Sequence, residues 1–165
     1  MQTSYKGIHI RTTLRPGDIG FLTYLHGLIY YKECGYGLRF ESYVAQGLCE
    51  FYTNYNADRD CVWICEKDDN IIGSLVLMHR DDNMAQLRYF LLLQQYRSIG
   101  LGGHLFQLFM EQLHQKKYRG AYLHTTDELQ AAASLYKGVG FQLVQEIDSA
   151  IFDKPVKEQR YELIL

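Results

Sequence analysis

Several features that mark specialised protein classes are scarce or missing in this sequence. Among 165 residues there are two prolines, Pro16 and Pro155, near the ends, so the body of the chain contains no proline-rich linker. No apolar run approaches the roughly 18 residues that indicate a membrane span. The opening "MQTSYKGIHI" also lacks the apolar core of a signal peptide. We therefore expect one soluble, cytoplasmic domain over residues 1–165.

Charge and cysteine are limited as well. The formal net charge is −2, which does not favour nucleic acid or an anionic membrane as a partner. Four cysteines are too few for a secreted disulfide scaffold. Cys61 and Cys65 in "CVWIC" suggest a metal site, but a strand at ~3.3 Å per residue would hold them roughly 13 Å apart, too far to share one zinc ion. We predict buried free thiols and no bound metal.

The hydropathy pattern predicts strands and helices in the order β-α-α-β-β-β-α-β-α-β-β. The predicted helices cover about 19–33, 38–55 and 100–117, and a short fourth helix with an acidic first turn lies in "DELQAAASLYKGVG". Two strand-helix-strand crossovers in the second half imply some parallel pairing. The predicted fold class is α/β (α+β), with a mixed, mostly antiparallel central sheet and helices on both faces.

The glycine-rich stretch "QQYRSIGLGGHLF" follows a predicted buried strand, "AQLRYFLLL", and opens an amphipathic helix. Unpaired backbone N–H groups and the helix dipole make such a turn an anion site, and pyrophosphate is a natural occupant. Alternatively, Gly100, Gly102 and Gly103 only permit a tight turn. The Walker pattern is absent, and Leu105 occupies the last glycine position of the dinucleotide pattern GxGxxG.

At this stretch the sequence resembles the GNAT superfamily of acyl-CoA-dependent N-acyltransferases. "RSIGLG", from Arg97 to Gly102, matches the acyl-CoA loop pattern [RQ]xxGx[GA] of that family. A second segment, "AAASLYKGVGF", is similar to the family motif AxxLYxxxGF and matches it at Ala132, Leu135, Tyr136, Gly140 and Phe141. The segments "HGLIYYKECGYGLRFESYV" and "CVWICEKDDNIIGS" further resemble GNAT domains fused behind winged-helix regulators of the MarR type.

The resemblance implies that acetyl-CoA is the cosubstrate, in a cleft where the fourth and fifth strands splay apart. Backbone N–H groups of residues 98–103 would contact the pyrophosphate, while the preceding strand end would pair with pantetheine and polarise the acyl carbonyl. The implied binding residues are Leu91, Leu92, Leu93, Arg97, Ser98, Ile99, Gly100, Leu101, Gly102 and Gly103. Two positions depart from the family pattern, since Ser98 replaces a common glycine and Leu129 a common asparagine.

Acyl transfer to an amine needs a neutral amine, an oxyanion site and a proton for the departing thiolate. The resemblance implies Tyr136 as the proton donor, because a tyrosine hydroxyl with a pKa near 10 keeps its proton at pH 7. A packing role is the alternative for Tyr136. The strand "AQLRYFLLL" has no carboxylate, which many family members use there as the base. Glu33, Glu41 and His79 are the other candidates, and each also suits a solvated or structural role.

Seven of the 14 tyrosines lie between residues 24 and 55. Their rings suit cation–π contact with an amine, or packing and a homodimer surface. The predicted function is an N-acetyltransferase that moves an acetyl group from acetyl-CoA to a primary amine of a small molecule or protein, by direct attack and without an acyl-enzyme. The alternative is a non-catalytic acyl-CoA-binding sensory module.

Overall fold

The computed structural model describes residues 3–165, without the side chain of Thr3, as two compact units. One unit comprises the described residues up to 14 together with 56–122 and 163–165, and the other comprises 15–55 and 123–162. The single domain predicted over residues 1–165 stays a prediction. Among the helices of the described residues, none combines the length and hydropathy that a membrane span requires.

The secondary structure follows the predicted order, with one short strand added at the start. In chain order the elements are β1 (Thr3–Tyr5), β2 (Ile8–Arg11), α1 (Asp18–Cys34), α2 (Leu38–Thr53), β3 (Cys61–Lys67), β4 (Asn70–His79), β5 (Met84–Leu92), α3 (Leu101–Gln115), β6 (Gly120–Thr126), α4 (Gln130–Gly138), β7 (Gln142–Ser149) and β8 (Val156–Ile164). Single 3₁₀ turns, Asp81–Asn83 and Gln94–Tyr96, flank β5.

The first unit is built on strands β1 to β5, which pair antiparallel in sequence order. Asp68 and Asp69 close the hairpin between β3 and β4 with φ of 49° and 60°, as a two-residue hairpin turn requires. The start of β6 pairs parallel with β5, from Met84 opposite Gly120 to Gln86 opposite Tyr122. The predicted mixed, mostly antiparallel sheet is therefore confirmed.

Helix α3 packs through its apolar stripe on the strands of the first unit. Its buried side chains are Leu101, Leu105, Phe106, Phe109 and Leu113. The Phe106 ring meets Phe90 of β5 edge-on at 5.3 Å between centroids, and Phe109 lies 6.5 Å from Trp63 of β3. Burial of this stripe fixes where the N-terminus of α3 lies relative to the end of β5.

The second unit contains α1, α2, α4, the rest of β6 and the antiparallel hairpin β7–β8, in the strand order β6-β8-β7. Helix α4 begins at Gln130, so the predicted acidic first turn is wrong. The two acidic residues precede the helix because they hold the hairpin instead. Asp127 Oδ1 accepts the Lys157 N–H at 3.0 Å, and Glu128 binds Lys154 Nζ at 2.6 Å.

The cysteines on β3 are free thiols, as predicted, but the predicted burial is confirmed only for Cys65. Cys65 is buried, and burial raises its pKa to about 12. Cys61 is partly exposed and donates to Gln112 Oε1 at 3.5 Å; burial raises its pKa as well. Within residues 3–165 no cluster of three or more His, Cys, Asp or Glu side chains has a geometry that would hold a metal ion.

Candidate functional site

The glycine turn, defined here as residues 97–103, leads from the end of β5 into α3. Gly100 is the N-cap of α3 with φ of 89°, and no side chain caps the helix. The first N–H groups of an α-helix have no acceptor within the helix, which here includes those of Leu101, Gly102 and Gly103. A Cβ on Gly103 would meet nothing within 4 Å, so the space beside Gly103 is open. Such an end offers several backbone donors to an anion.

Side chains from the start of the chain hold the glycine turn in place. Tyr5 Oη and Lys6 Nζ both donate to the Ile99 carbonyl, at 3.2 and 2.8 Å. The His104 ring, in the first turn of α3, stacks on Tyr5 at 4.7 Å between centroids. A Cβ on Gly100 would clash with Tyr5 Oη, so only glycine satisfies both the left-handed φ and the close tyrosine.

Arg97, at the first position of the glycine turn, binds the end of β5. Its Nε donates to the Leu92 carbonyl at 2.9 Å. Ser98, which stands where the family often has glycine, adopts a left-handed φ of 62° and is exposed. The departure at this position therefore leaves the backbone in the conformation that a glycine would also adopt.

The end of β5 pairs with β4. Leu91 lies opposite Ser74 and Leu92 opposite Gly73, and both leucines are buried. The Leu93 N–H donates to the Ile72 carbonyl at 2.9 Å, so this N–H is already paired within the protein. The parallel pairing of β5 with β6 covers Met84–Gln86, at the opposite end of β5 from the glycine turn.

A β-bulge interrupts β5 just before these leucines. The register with β4 shifts between Ser74 and Val76, so that Tyr89 and Phe90 both lie opposite Leu75. Tyr89 has a left-handed φ of 51°, and its carbonyl accepts the Ser74 hydroxyl at 2.6 Å. The left-handed conformation of a non-glycine residue costs about 1 kcal/mol of folding free energy. A bulge of this kind also bends the strand. The sequence does not predict this bulge, because the order of apolar and polar residues in "AQLRYFLLL" gives no signal for it.

Tyr136, the predicted proton donor, lies in the second unit and is 5% exposed. The centroids of the Tyr161 and Phe141 rings lie 6.0 and 6.4 Å from that of Tyr136. Burial, followed by the proximity of Tyr30 and Tyr161, raises the pKa of the Tyr136 hydroxyl. The hydroxyl therefore keeps its proton far above neutral pH and suits hydrogen-bond donation better than complete proton transfer.

The candidate bases predicted from the sequence lie apart from one another. Glu33 is exposed in the last turn of α1, and Glu41 is half-buried in the first turn of α2. A Cβ on Gly27 would touch the Glu41 carboxylate, so this side chain packs against α1. His79, in the first unit, binds the buried Asp60 Oδ1 through both its Nδ1 and its backbone N–H, at 2.9 and 2.6 Å.

The second unit contains a cavity of about 270 Å³, called here the aromatic cavity. Its lining residues are Tyr30, Tyr36, Phe40, Tyr43, His124, Thr125, Thr126, Leu129, Ile151, Phe152 and Glu158. Glu33, Glu41 and Tyr136 are not among these lining residues. Sequence analysis singled out the tyrosines but missed Phe152 and Glu158, because the pattern of the last two strands marks neither residue.

The aromatic side chains of this cavity form one continuous cluster. Tyr36 lies 5.7 Å from Tyr30, 5.2 Å from Phe40 and 5.1 Å from Phe152 between ring centroids. Tyr43 lies 5.8 Å from Phe152. The Tyr36 hydroxyl and Thr126 Oγ1 share a hydrogen bond of 2.5 Å. Ring packing and this bond fix the wall of the cavity before any ligand enters.

The sequence of this chain is similar to that of a known enzyme family. The model of the acetyltransferase (GNAT) family matches residues 30–141. An uncharacterized N-acetyltransferase of Escherichia coli K12, YjgM, is 28% identical over 98 residues, which cover 58% of this chain and 59% of that protein. The match thus spans less than two thirds of this curated relative.

Solved structures share the fold at low sequence identity. An acetyltransferase from Streptococcus agalactiae 2603 has a TM-score of 0.75 and 21% identity, over 98% of this chain and all of its own. A GNAT acetyltransferase from Elizabethkingia anophelis with acetyl-CoA bound has a TM-score of 0.66 and 14% identity, over 98% of this chain and 100% of its own. These likenesses show the fold.

Proposed function

Because the chain belongs to the GNAT family of acetyltransferases, we propose that it transfers an acetyl group from acetyl-CoA to a primary amine of a small molecule or a protein. The observation that carries this proposal is the glycine turn, where the helix N-terminus has no side-chain cap and Gly100 is left-handed, an arrangement that suits a pyrophosphate. The acetyl-CoA bound to the structural neighbour from Elizabethkingia anophelis supports the same cosubstrate here.

The backbone of the glycine turn would bind the diphosphate of acetyl-CoA. N–H groups within residues 98–103 are the proposed donors, and Gly103 leaves room for a phosphate to approach the helix. Leu91 and Leu92 at the end of β5 are the proposed partners of the pantetheine. Arg97 is a positioning residue in this proposal, since its Nε already binds the Leu92 carbonyl.

The proposed reaction is a direct attack. The lone pair of the neutral amine forms a bond to the acetyl carbon, the carbon–sulfur bond breaks, and its electron pair stays on sulfur. The amine nitrogen loses one proton and the thiolate gains one, so the products are an amide and CoA. We assign Tyr136 to stabilise the thiolate by donating a hydrogen bond, because burial keeps its hydroxyl protonated.

An amine panel with acetyl-CoA tests this proposal through release of the CoA thiol, with CoA binding measured by calorimetry. Tyr136→Phe should lower turnover by about 100-fold, in the range of general acid catalysis, with little change in CoA affinity. Tyr161→Phe is the matched control, because Tyr161 is also buried, beside Tyr136. A wild-type protein that binds no CoA would overturn the proposal.

A second candidate is the non-catalytic acyl-CoA-binding module. It is favoured by the sequence of β5, "MAQLRYFLL", which contains no carboxylate to serve as the base. This module would bind CoA tightly and release no thiol with any amine of the panel. Thiol release by wild type that depends on the amine would exclude it.

A further inference from the structure

The aromatic cavity has one formal negative charge and no cationic Lys or Arg in its lining. Glu158 supplies that charge and is half-buried. In the described part of the chain, its carboxylate has no hydrogen-bond or ion-pair partner. Two other carboxylates of the hairpin are paired, since Glu146 binds Lys157 and Gln159, and Glu162 binds Arg160. Glu158 therefore keeps its acceptor capacity for a ligand.

The walls of the cavity favour the same kind of ligand. A cation over the face of an aromatic ring gains about 0.5 to 2 kcal/mol of binding free energy, and the gain is larger when the site excludes water. Five of the lining residues are aromatic, and Phe152 contacts Tyr36, Phe40 and Tyr43 within this cluster. Lys154 Nζ lies 6.0 Å from the centroid of the Tyr36 ring, and its charge is paired with Glu128 at 2.6 Å and with the Cys34 carbonyl. With Lys154 paired to Glu128, the remaining charge at the lining is that of Glu158, which favours a cation over an anion.

We propose that the aromatic cavity binds the acceptor, and that the acceptor is a compact primary amine whose ammonium group is bound by Glu158 and whose apolar body lies against the rings. This inference rests on the proposed acetyltransferase function. The carboxylate selects against amino acids, because their own carboxylate would meet Glu158. The apolar rings select against fully hydrated polyols. Glu158 is a specificity residue in this proposal. The bound ammonium releases one proton to bulk water before the neutral amine attacks, and no proton transfer is assigned to Glu158.

Equilibrium binding to the full-length chain tests the proposal with three related compounds. These are 2-phenylethylamine, its uncharged analogue 2-phenylethanol, and phenylalanine, which adds a carboxylate to the amine. Calorimetry or ligand-observed NMR should show the amine binding about 10-fold more tightly than the alcohol, as a hydrogen bond to a charged group gives. Phenylalanine should bind more weakly than 2-phenylethylamine. This comparison needs no variant and no turnover.

Glu158→Gln keeps the size of the side chain and removes its charge, so it should make the amine and the alcohol bind alike. Glu162→Gln is the matched control, because Glu162 lies on the same strand, pairs with Arg160 and does not line the cavity. Thermal unfolding of both variants checks that they fold. Equal binding of amine and alcohol by wild type, or an unchanged preference in Glu158→Gln, would overturn the inference.

Calorimetry with CoA on the same samples separates the two proposals. If CoA binds and another amine is acetylated while 2-phenylethylamine shows no preference over the alcohol, the proposed function stands and the cavity inference fails. If CoA does not bind at all, the proposed function itself fails. Acetylation of 2-phenylethylamine with thiol release, lost preference in Glu158→Gln and normal CoA binding in that variant would support both.

Discussion

The glycine turn and the aromatic cavity present opposite kinds of binding group. In the glycine turn the binding groups are backbone N–H donors from one continuous stretch, residues 97–103, at the positive end of a helix. In the aromatic cavity they are side chains from α1, α2, β6, β8 and the segments between them, with one carboxylate. A site made of consecutive backbone groups leaves a readable sequence motif, whereas a site assembled from distant side chains leaves none.

The electrostatic difference follows from the same construction. Unpaired N–H groups favour an anion, such as the diphosphate proposed to bind there, and Glu158 with its aromatic neighbours favours a cation, such as the proposed amine. Substitutions in one region should therefore change the binding of one substrate and leave the other alone. Each of the following variants tests that separation.

Gly100→Ala should have the largest effect, and CoA binding that survived it would show that the glycine turn does not bind the diphosphate. The new Cβ meets Tyr5 and forces a left-handed alanine, which costs about 1–2 kcal/mol. If the turn relaxes and two N–H contacts to phosphate are lost, CoA affinity falls by about 100-fold. Calorimetry with CoA measures this, and binding of 2-phenylethylamine should be unchanged. Gly20→Ala, with open space around its Cβ in α1, is the control.

Gly103→Ala should separate stability from binding within the glycine turn. Without ligand, alanine at this position inside α3 should raise the free energy of unfolding by up to about 1 kcal/mol. With CoA, the methyl group occupies the space proposed for phosphate, and affinity should drop by about 10-fold. Urea unfolding and calorimetry give the two values. A variant that is more stable and binds CoA normally would remove Gly103 from the site.

Phe152→Leu should sharpen the assignment of the aromatic cavity. Leucine keeps an apolar wall but removes the ring face, so binding of 2-phenylethylamine should weaken by about 5-fold while that of 2-phenylethanol changes less. CoA binding should stay the same. Phe21→Leu, at an exposed position of α1 outside the cavity lining, is the control. Equal losses for the amine and the alcohol would assign Phe152 to shape alone.

Tyr36→Phe should give the smallest effect, mainly on stability. The variant loses the bond to the buried Thr126, at a cost of about 1 kcal/mol. Burial raises the pKa of Tyr36, so above about pH 10 the unfolded chain loses a proton that the folded chain keeps. Wild-type stability should therefore fall as the pH rises past this value, and less steeply in the variant. Urea unfolding at several alkaline pH values measures this, with the exposed Tyr24→Phe as control.

The sequence predicted the elements well where periodicity is strong. Helices α1 to α3 begin and end within two residues of the predicted bounds, because their apolar stripes and glycine ends are local signals. The strand β1 is too short for such a signal. The acids before α4 were misassigned since their partners, Lys154 and Lys157, lie about 30 residues further on. Proximity of that kind depends on the hairpin β7–β8 and has no local pattern.

The candidate site shows the same limit. The turn between β5 and α3 was predicted from its glycines, and Tyr136 was identified through a motif. The binding role of the turn and the catalytic role of Tyr136 stay predictions. The bulge at Tyr89 depends on cross-strand register, and Glu158 depends on the hairpin that faces α1 and α2 across the cavity. Register and facing surfaces are set by packing of the whole unit, so neither can be read from a single strand.

The two hydrogen bonds to the Ile99 carbonyl also orient a peptide plane. In a trans peptide the carbonyl oxygen and the following N–H point in opposite directions, and the described chain contains no cis peptide. Because Tyr5 and Lys6 hold the oxygen on their side, the N–H of Gly100 must point away from them. The direction of this donor is therefore settled when the protein folds, and a binding anion need not lose affinity to orient it.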